Sequence, residues 1–132
     1  MSIITYTALI GPPEGEAKIW GATVPQVPVT CSGGKTREEA IANIKVALEF
    51  SLEGYCLDLG GNFPERQPLE DFQEVVDFHV DDQGRPWEQV AIEIDPDEIK
   101  KTVRNEAAAT IQYFVRAKLG LPLLSPDDHH SR

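Results

Sequence analysis

The chain lacks most features that mark secreted, membrane-spanning or disulfide-stabilised proteins. It has two cysteines in 132 residues, and their spacing matches no metal motif. Its N-terminus lacks the basic start and apolar run of a signal peptide, and no window approaches the roughly 18 apolar residues that cross a bilayer. We therefore expect a cytoplasmic globular domain with an added C-terminal element, in which Cys31 and Cys56 are reduced, buried apolar groups.

Basic residues are scarce in the middle of the chain. Between Glu53 and Glu98, fourteen acidic residues face two bases, Arg66 and Arg85, so these 46 residues carry a charge of −12. The rest of the chain has eight acids and ten bases, or +2, which gives the net charge of −10. Such a field repels nucleic acid and attracts basic surfaces. The segment is either a solvated face that aids solubility or a docking surface for a basic partner, and charge alone does not choose between them.

Motifs for catalysis, metals and cofactors are also missing. No glycine-rich run has P-loop or dinucleotide spacing, and Gly33-Gly34 predicts only a turn. The first two predicted strands carry no acid of the kind that holds metal ions in a two-metal nuclease. We expect His79 to have no metal role, His129 and His130 to lie in a disordered end, and Cys31 to be unreactive. None of these features points to catalysis.

Hydrophobic periodicity predicts an α+β fold. Residues 4–10 alternate as a strand, residues 11–15 form a hairpin loop, and residues 17–24 form a second strand that ends at Pro25. A third, shorter strand is expected from about Pro28 to Ser32. A helix that packs across three such strands gives a compact half-buried layer.

Two long helices are the best-defined elements. Thr36 and Glu39 predict a capping box that opens the first, and Gly60-Gly61 ends it. Asp95 and Pro96 open the second, with Glu98 in a box-like position, and Gly120 and Pro122 end it. Their predicted apolar stripes are Ile41, Ile44, Leu48, Leu52, Tyr55 and Leu59 in the first, and Ile99, Val103, Ala107, Ile111 and Phe114 in the second.

The region between the helices is less clear. Residues 62–68 predict a loop, and Leu69 to Val80 fit either a helix or a strand, with the helix favoured. A turn at residues 82–86 leads to a strand from Val90 to Ile94. The tail from Ser125 to Arg132 is expected to be frayed.

A set of short motifs follows in a particular order through the first 95 positions. They are Tyr6 with Ala8, Trp20 and Ala22 before Val24-Pro25, Pro28, Cys31, Gly34-x-Thr36, Glu38-Glu39-Ala40, Asn43, Ala47-Leu48, Phe63-Pro64 and Pro68-Leu69-Glu70. No single motif is distinctive, but their order is, and the ordered set resembles the HicB family, whose members are antitoxins that silence small RNA-cleaving toxins of the HicA type.

The resemblance implies a partial RNase H-like unit of three antiparallel strands, a helix and a fourth strand over residues 1–95. Residues 96–132 would then be a C-terminal helix and tail that serve oligomerisation. Two departures stand out: Pro28-Val29 replaces the Pro-Gly of many relatives, and the loop from Gly11 to Ala17 lacks the usual acidic-Gly-Gly pattern. Some relatives end in a DNA-binding module, but here residues 96–119 predict one uninterrupted helix, which argues against direct DNA binding.

A partner of the implied kind is a small basic protein that would be steered towards the acidic segment. The residues proposed to contact it are Glu38, Glu39, Glu70, Asp71 and Glu74. For Glu38 and Glu39 a structural explanation is equally available, because helix starts favour acids.

The second helix differs from the rest of the chain because it is basic, with a charge of +4 between Ile99 and Leu119. Balance of the helix dipole, weak DNA contact and self-association could each explain this charge. We favour self-association, with Ile111, Tyr113 and Phe114 in the seam and the basic helix of one copy against the acidic segment of another.

Three functions remain open from sequence. The first is a cofactor-free, homo-oligomeric antitoxin that occludes a HicA-type toxin and is not an enzyme. The second is an orphan of the fold that acts as a regulatory or ligand-binding module, and the third is a DNA-binding autorepressor that uses the last strand and helix.

Overall fold

A computed structural model describes residues 2–122. Its four strands form one antiparallel sheet in the order β3-β2-β1-β4, which confirms the predicted α+β class, the fourth strand and the long C-terminal helix. The predicted tail from Ser125, with His129 and His130, lies outside the described residues. The elements are β1 (Ile4–Gly11), β2 (Trp20–Thr23), β3 (Cys31–Gly34), α1 (Arg37–Asp58), a 3₁₀ helix (Leu69–Phe72), α2 (Gln73–Phe78), β4 (Glu88–Ile94) and α3 (Pro96–Leu119).

The core lies between one face of the sheet and α1. β1 is central and pairs with β4 along seven residues, from Ile4 opposite Ile94 to Ile10 opposite Glu88. Alternate residues of both strands face α1, as the two-residue period of a strand requires. The fully enclosed side chains of this layer include Tyr6, Ala8, Ile10, Ile92 and Ile94 from the sheet, and Ala40, Ile44, Leu48, Leu52 and Cys56 from α1.

The predicted bounds of β2 and β3 are wrong. β2 covers only Trp20–Thr23, and β3 begins at Cys31 and not at Pro28. The intervening residues form a compact turn, in which the Val24 N–H donates to the Thr30 carbonyl (3.1 Å) and the Thr30 N–H to the Val27 carbonyl (3.3 Å). Backbone groups used within this turn cannot join a strand ladder.

Val29 is the strained residue of this turn. Its φ of 69° lies in the left-handed region, which a β-branched side chain rarely adopts. The departure from Pro-Gly noted in the sequence therefore has a structural cost, since the turn keeps the backbone shape of a glycine without having one.

Gly33 and Gly34 are not a turn, contrary to the prediction from sequence. Both lie in β3, where a Cβ on Gly33 would be 2.6 Å from the Trp20 carbonyl oxygen and a Cβ on Gly34 would be 2.7 Å from the Ala40 backbone nitrogen. Glycine is therefore needed here for close packing of β3 against β2 and against the start of α1.

α1 begins as predicted and buries Ile44, Leu48 and Leu52 of the predicted stripe, but not its last two residues. Thr36 caps it by accepting from the Glu39 N–H at 3.0 Å, while the Glu39 carboxylate accepts from Lys35 and not from the cap residue itself. The buried positions recur every four residues from Ala40 to Cys56, so Tyr55 and Leu59 are exposed (40% and 50%). Cys56 is buried as expected, whereas Cys31 is exposed, which corrects that expectation.

α3 has the predicted ends but not the predicted burial. The Asp95 carboxylate accepts from the Asp97 N–H (3.0 Å), and Gly120 ends the helix in the left-handed conformation. Only Ile99 and Val103 are buried, against α1, whereas Ile111 and Phe114 of the predicted stripe are exposed. None of the helices in residues 2–122 combines the length and apolarity needed to span a bilayer.

Candidate partner-binding surface

The segment between α1 and β4 is fastened to the sheet at its start by Gln26. This side chain is buried at 4% exposure, accepts from the Thr7 N–H (2.8 Å) and donates to the Gln67 carbonyl (2.8 Å). Arg66 donates to the Thr5 carbonyl (3.3 Å) in the same region. A buried amide that bridges two backbone segments cannot be replaced without leaving both unpaired.

The same segment is fastened at its other end by Trp87. Its indole ring lies over Gly11 and Gly21 on neighbouring strands, where any Cβ on Gly11 would overlap the ring. The His79 ring meets Trp87 edge-on, with centroids 4.8 Å apart, and its Nδ1 lies 2.7 Å from the Val75 carbonyl oxygen. His79 therefore has packing and hydrogen-bonding roles in the fold.

Between these anchors, Leu69 to Val80 is mostly helical. The 3₁₀ helix and α2 confirm the preference for a helix, and Val80 joins an isolated bridge to Pro86 that closes the turn before β4. The Asp81 carboxylate caps that turn by accepting backbone N–H groups of Arg85 and Gln83, both at 2.9 Å. These bonds, with the adjacent Arg85 guanidinium, lower the pKa of Asp81.

The two short helices carry an exposed group of carboxylates that we name the acidic surface: Glu70, Asp71, Glu74 and Asp77. Within residues 2–122, the carboxylates of Glu70, Asp71 and Glu74 make no hydrogen bond or ion pair, whereas Asp77 accepts from Gln73 (2.8 Å). No basic residue stands between Arg66 and Arg85. Three of these four acids were predicted from sequence; Asp77 was missed, although its spacing of three from Glu74 places both on one helical face.

An exposed aromatic ring adjoins the acidic surface. Phe78 is 80% exposed at the end of α2, four residues after Glu74, so the two side chains lie on the same face. Val75 is also partly exposed (36%) beside it. A solvent-exposed phenylalanine bordered by carboxylates offers an apolar anchor together with charge steering.

Glu38 and Glu39 form a separate group at the start of α1. Glu38 pairs with Arg37 (3.5 Å) and Glu39 accepts from the Lys35 N–H (3.3 Å), so both have local roles. Arg37 also makes a bidentate ion pair with Glu88 of β4, at 2.7 and 2.6 Å, which sequence reasoning did not find. The hydrogen bonds and ion pairs among residues 2–122 do not join this group to the acidic surface.

The third set of predicted residues lies on α3. Ile111, Tyr113 and Phe114 are exposed (61%, 40% and 67%), and the last two rings meet edge-on with centroids 6.1 Å apart. Ile111 borders a groove between α1 and α3. Within residues 2–122, this exposed apolar part of α3, with its basic residues, is therefore distinct from the acidic surface.

The described residues offer no arrangement suited to a metal ion. No group of three or more His, Cys, Asp or Glu side chains within residues 2–122 is close enough to hold one.

Burial raises the pKa of the Tyr6 phenol, an effect that the charge of nearby Arg66 partly opposes.

Comparisons with known proteins agree with this architecture. The family model described as the HicB-like antitoxin of the bacterial toxin–antitoxin system matches residues 6–119. Among solved structures, the crystal structure of the N-terminal domain of the Burkholderia pseudomallei antitoxin HicB superposes with a TM-score of 0.51 at 18% sequence identity, covering 70% of this chain and 99% of that one. At that identity the likeness concerns the fold alone. The search of curated proteins gave no significant match.

Proposed function

This chain belongs to the HicB-like antitoxin family, and from that premise we propose that it binds a small basic RNA-cleaving toxin of the HicA type and silences it by occlusion. It acts in the cytoplasm, as a binding protein without catalytic residues or cofactor. The acidic surface and Phe78 are the contact site, and the free carboxylates on the 3₁₀ helix and α2 are the observation that supports this assignment most directly.

Charge supports a basic partner. A toxin that binds RNA must present cations to phosphate groups, and a carboxylate surface can occupy the same cations. Glu70, Asp71 and Glu74 are unpaired within the described chain, so binding costs them no existing ion pair. The two bases that flank these acids along the chain are already engaged, Arg66 with the Thr5 carbonyl (3.3 Å) and Arg85 with Asp81 (3.1 Å).

The rigid mounting of the segment supports a preformed site. Gln26 at one end and Trp87 at the other fasten it to the sheet, so the acids need little reordering when a partner arrives. Preorganisation reduces the entropy cost of association. Burial of Phe78 against the partner contributes affinity. The carboxylates raise the association rate and favour a positively charged partner.

The proposal expects a small basic reading frame beside this gene, and the test uses the protein that it encodes. We expect this chain to bind that protein and to stop its cleavage of RNA in a purified assay. Reversal of two charges, Glu74→Lys with Asp77→Lys, should slow association about tenfold at low salt and less at high salt. Phe78→Ser should instead speed dissociation, because it removes buried apolar contact and leaves the steering field in place.

A matched control separates surface from net charge. Glu14→Lys with Glu16→Lys makes the same change in charge on the exposed β1–β2 loop. If this control slows association as much as the α2 pair does, the acidic surface is not the site. If the neighbouring protein does not bind the unmodified chain at all, the antitoxin function itself is wrong.

Direct DNA binding has less structural support. α3 continues without a turn from Pro96 to Leu119, so the described residues place no second helix behind it.

A further inference from the structure

A pocket of about 170 Å³ opens between α1, the turn before β3 and the loop that follows α1. Its floor includes the buried side chains of Tyr6, Val27 and Leu52, and its rim includes the exposed side chains of Tyr55 and Glu65. A cavity of about 150 Å³ admits a benzene molecule, so this pocket has room for the end of one side chain.

The Tyr6 hydroxyl is an unused polar group at this pocket. Tyr6 is only 1% exposed, and its hydroxyl makes no hydrogen bond with another group in residues 2–122. The neighbouring Gln26 amide, which also lines the pocket, is already committed to Thr7 and Gln67. Buried tyrosine hydroxyls usually have a hydrogen-bond partner, so this one is available to a ligand that fills the cavity.

The remaining polar groups at the rim favour a cation. The Glu65 carboxylate makes no hydrogen bond or ion pair with the rest of the described chain. The Tyr55 ring, 40% exposed, offers an aromatic face and a phenol oxygen. Among the described residues that line the pocket there is no lysine or arginine. A positively charged group with several N–H donors would therefore satisfy these acceptors.

We propose that this pocket receives an arginine side chain of a basic protein partner, whose guanidinium contacts the Tyr6 hydroxyl, the Glu65 carboxylate and the Tyr55 ring. Arginine suits the pocket better than lysine, because a guanidinium is less strongly hydrated, stacks on aromatic rings and has five donors. The inference rests on the proposed function for the source of the arginine, but the chemistry of the pocket does not depend on which protein supplies it.

Arg66 is a nearby charge that acts against a cation. It donates to the Thr5 carbonyl (3.3 Å), and its charge reaches the Tyr6 phenol, but it does not line the pocket. The segment from Glu53 to Glu98 carries −12, so the surrounding field still favours a positive ligand. Arg66→Gln therefore tests the sign of the ligand, because it should tighten the binding of a cation and weaken that of an anion.

Titration of the full chain with N-acetyl-arginine amide, followed by NMR chemical shifts at constant ionic strength, tests the pocket without a toxin. We expect saturable binding, with N-acetyl-citrulline amide, the uncharged isostere, at least about fivefold weaker. Tyr6→Phe and Glu65→Gln should each raise the dissociation constant about threefold or more, and Arg66→Gln should lower it. Glu14→Gln, on the exposed β1–β2 loop, is the matched charge control and should change it by less than about 1.5-fold.

Tyr6→Phe is also a test of the hydroxyl that does not endanger the fold. Since the hydroxyl has no partner to lose within residues 2–122, the variant should melt at the temperature of the parent chain or above it. Weaker arginine binding at unchanged stability would therefore assign the hydroxyl to the ligand.

Three results would overturn the inference: citrulline amide that binds as well as arginine amide, a Glu14→Gln effect equal to that of Glu65→Gln, or weaker arginine binding in Arg66→Gln. These results are separate from the failure of the proposed function. If the neighbouring protein binds the chain but arginine amide does not, the pocket assignment is wrong and the proposed function stands. If arginine amide binds but the neighbouring protein does not, the proposed function is wrong and the pocket assignment is supported.

Discussion

α1 and α3 are nearly equal in length, 22 and 24 residues, but they differ in what covers them. Both begin at a side-chain cap, and both carry apolar residues at helical spacing. α1 buries a residue in every turn from Ala40 to Cys56, whereas α3 buries only Ile99 and Val103 near its start. Capping and periodicity therefore specified both helices, but they did not specify burial.

The cause of the difference is the geometry of the sheet. α1 lies across the sheet face that holds Tyr6, Ala8 and Ile10, and this face is long enough to cover the whole helix. α3 follows β4 at the edge of the sheet and packs on α1 through its first turns. The large apolar side chains of its second half are exposed within the described residues.

Cavity formation gives the sharpest test of this comparison. Leu48→Ala in α1 should lower the free energy of unfolding by about 2–5 kcal/mol, because Leu48 is fully buried in the core. Ile111→Ala in α3 should change it by less than about 0.5 kcal/mol at concentrations where the chain is monomeric, since Ile111 is 61% exposed. Urea unfolding of both variants measures the difference, and equal losses would mean that α3 is as well covered as α1.

The ends of the elements provide a second, smaller test. Val29, before β3, and Gly120, after α3, share the left-handed conformation, with φ of 69° and 71°. Only glycine adopts it without strain, so Val29→Gly should raise the free energy of unfolding by about 1 kcal/mol after the entropy cost of glycine is subtracted.

The reverse change serves as its counterpart. Gly120→Val adds the same strain after α3, where it should only fray the last turn and leave global unfolding unchanged. Thermal unfolding of both variants compares the two sites. A Val29→Gly variant less stable than the parent chain would show that the turn depends on contacts of the Val29 side chain, despite its 96% exposure.

The ion pairs at the starts of α1 and α3 should make small and unequal contributions to the pH dependence of stability. Arg37 fastens α1 to β4 through Glu88, whereas Asp97 and Lys100 pair within α3 at 3.7 Å. Hydrogen bonds from Arg37, together with its positive charge, lower the pKa of Glu88. A carboxyl group whose pKa is lower in the folded state than in the unfolded state stabilises the fold at pH values above its unfolded-state pKa. That contribution is lost as the pH falls through the folded-state pKa.

Glu88→Gln should therefore lower the melting temperature slightly at neutral pH, and the gap from the parent chain should close as the solution is acidified below the ordinary glutamate range. Solvent screening keeps the effect small. Asp97→Asn, which removes a pair inside one helix, should show a smaller gap. A gap for Glu88→Gln that widens in acid would contradict the assigned role of the ion pair.

Much of the fold could be predicted from sequence because local chemistry dominates there. The cap at Thr36, the cap at Asp95 and the helix end at Gly120 each depend on residues within a few positions, and all were confirmed. The start of β3 was predicted wrongly because the turn before it is closed by hydrogen bonds between residues several positions apart, such as Val24 and Thr30. Gly33 and Gly34 were misread because their need for space comes from β2 and α1 and not from their own backbone angles.

The candidate binding surface also combines features that the sequence shows with features that only the three-dimensional structure shows. The acids of the acidic surface are visible in composition alone, but their freedom from ion pairs and the exposure of Phe78 are tertiary facts. For Glu38 and Glu39, sequence already offered a structural explanation, since helix starts favour acids. Their contacts with Arg37 and Lys35, one and four residues away, agree with that local role.

By itself, the sequence determined the charge of each segment, the caps and breaks of the helices, the class of fold and the family. The charges, caps and breaks follow from composition and from interactions within about one turn of chain, whereas the class and the family follow from the order of elements and residues along the chain. Tertiary structure alone decided how far the buried stripe of each helix extends, which glycines are required, and that Gln26 and Trp87 hold the acidic segment. Those outcomes depend on which distant residues meet, and the spacing of residues along one element does not specify which surface will lie against it.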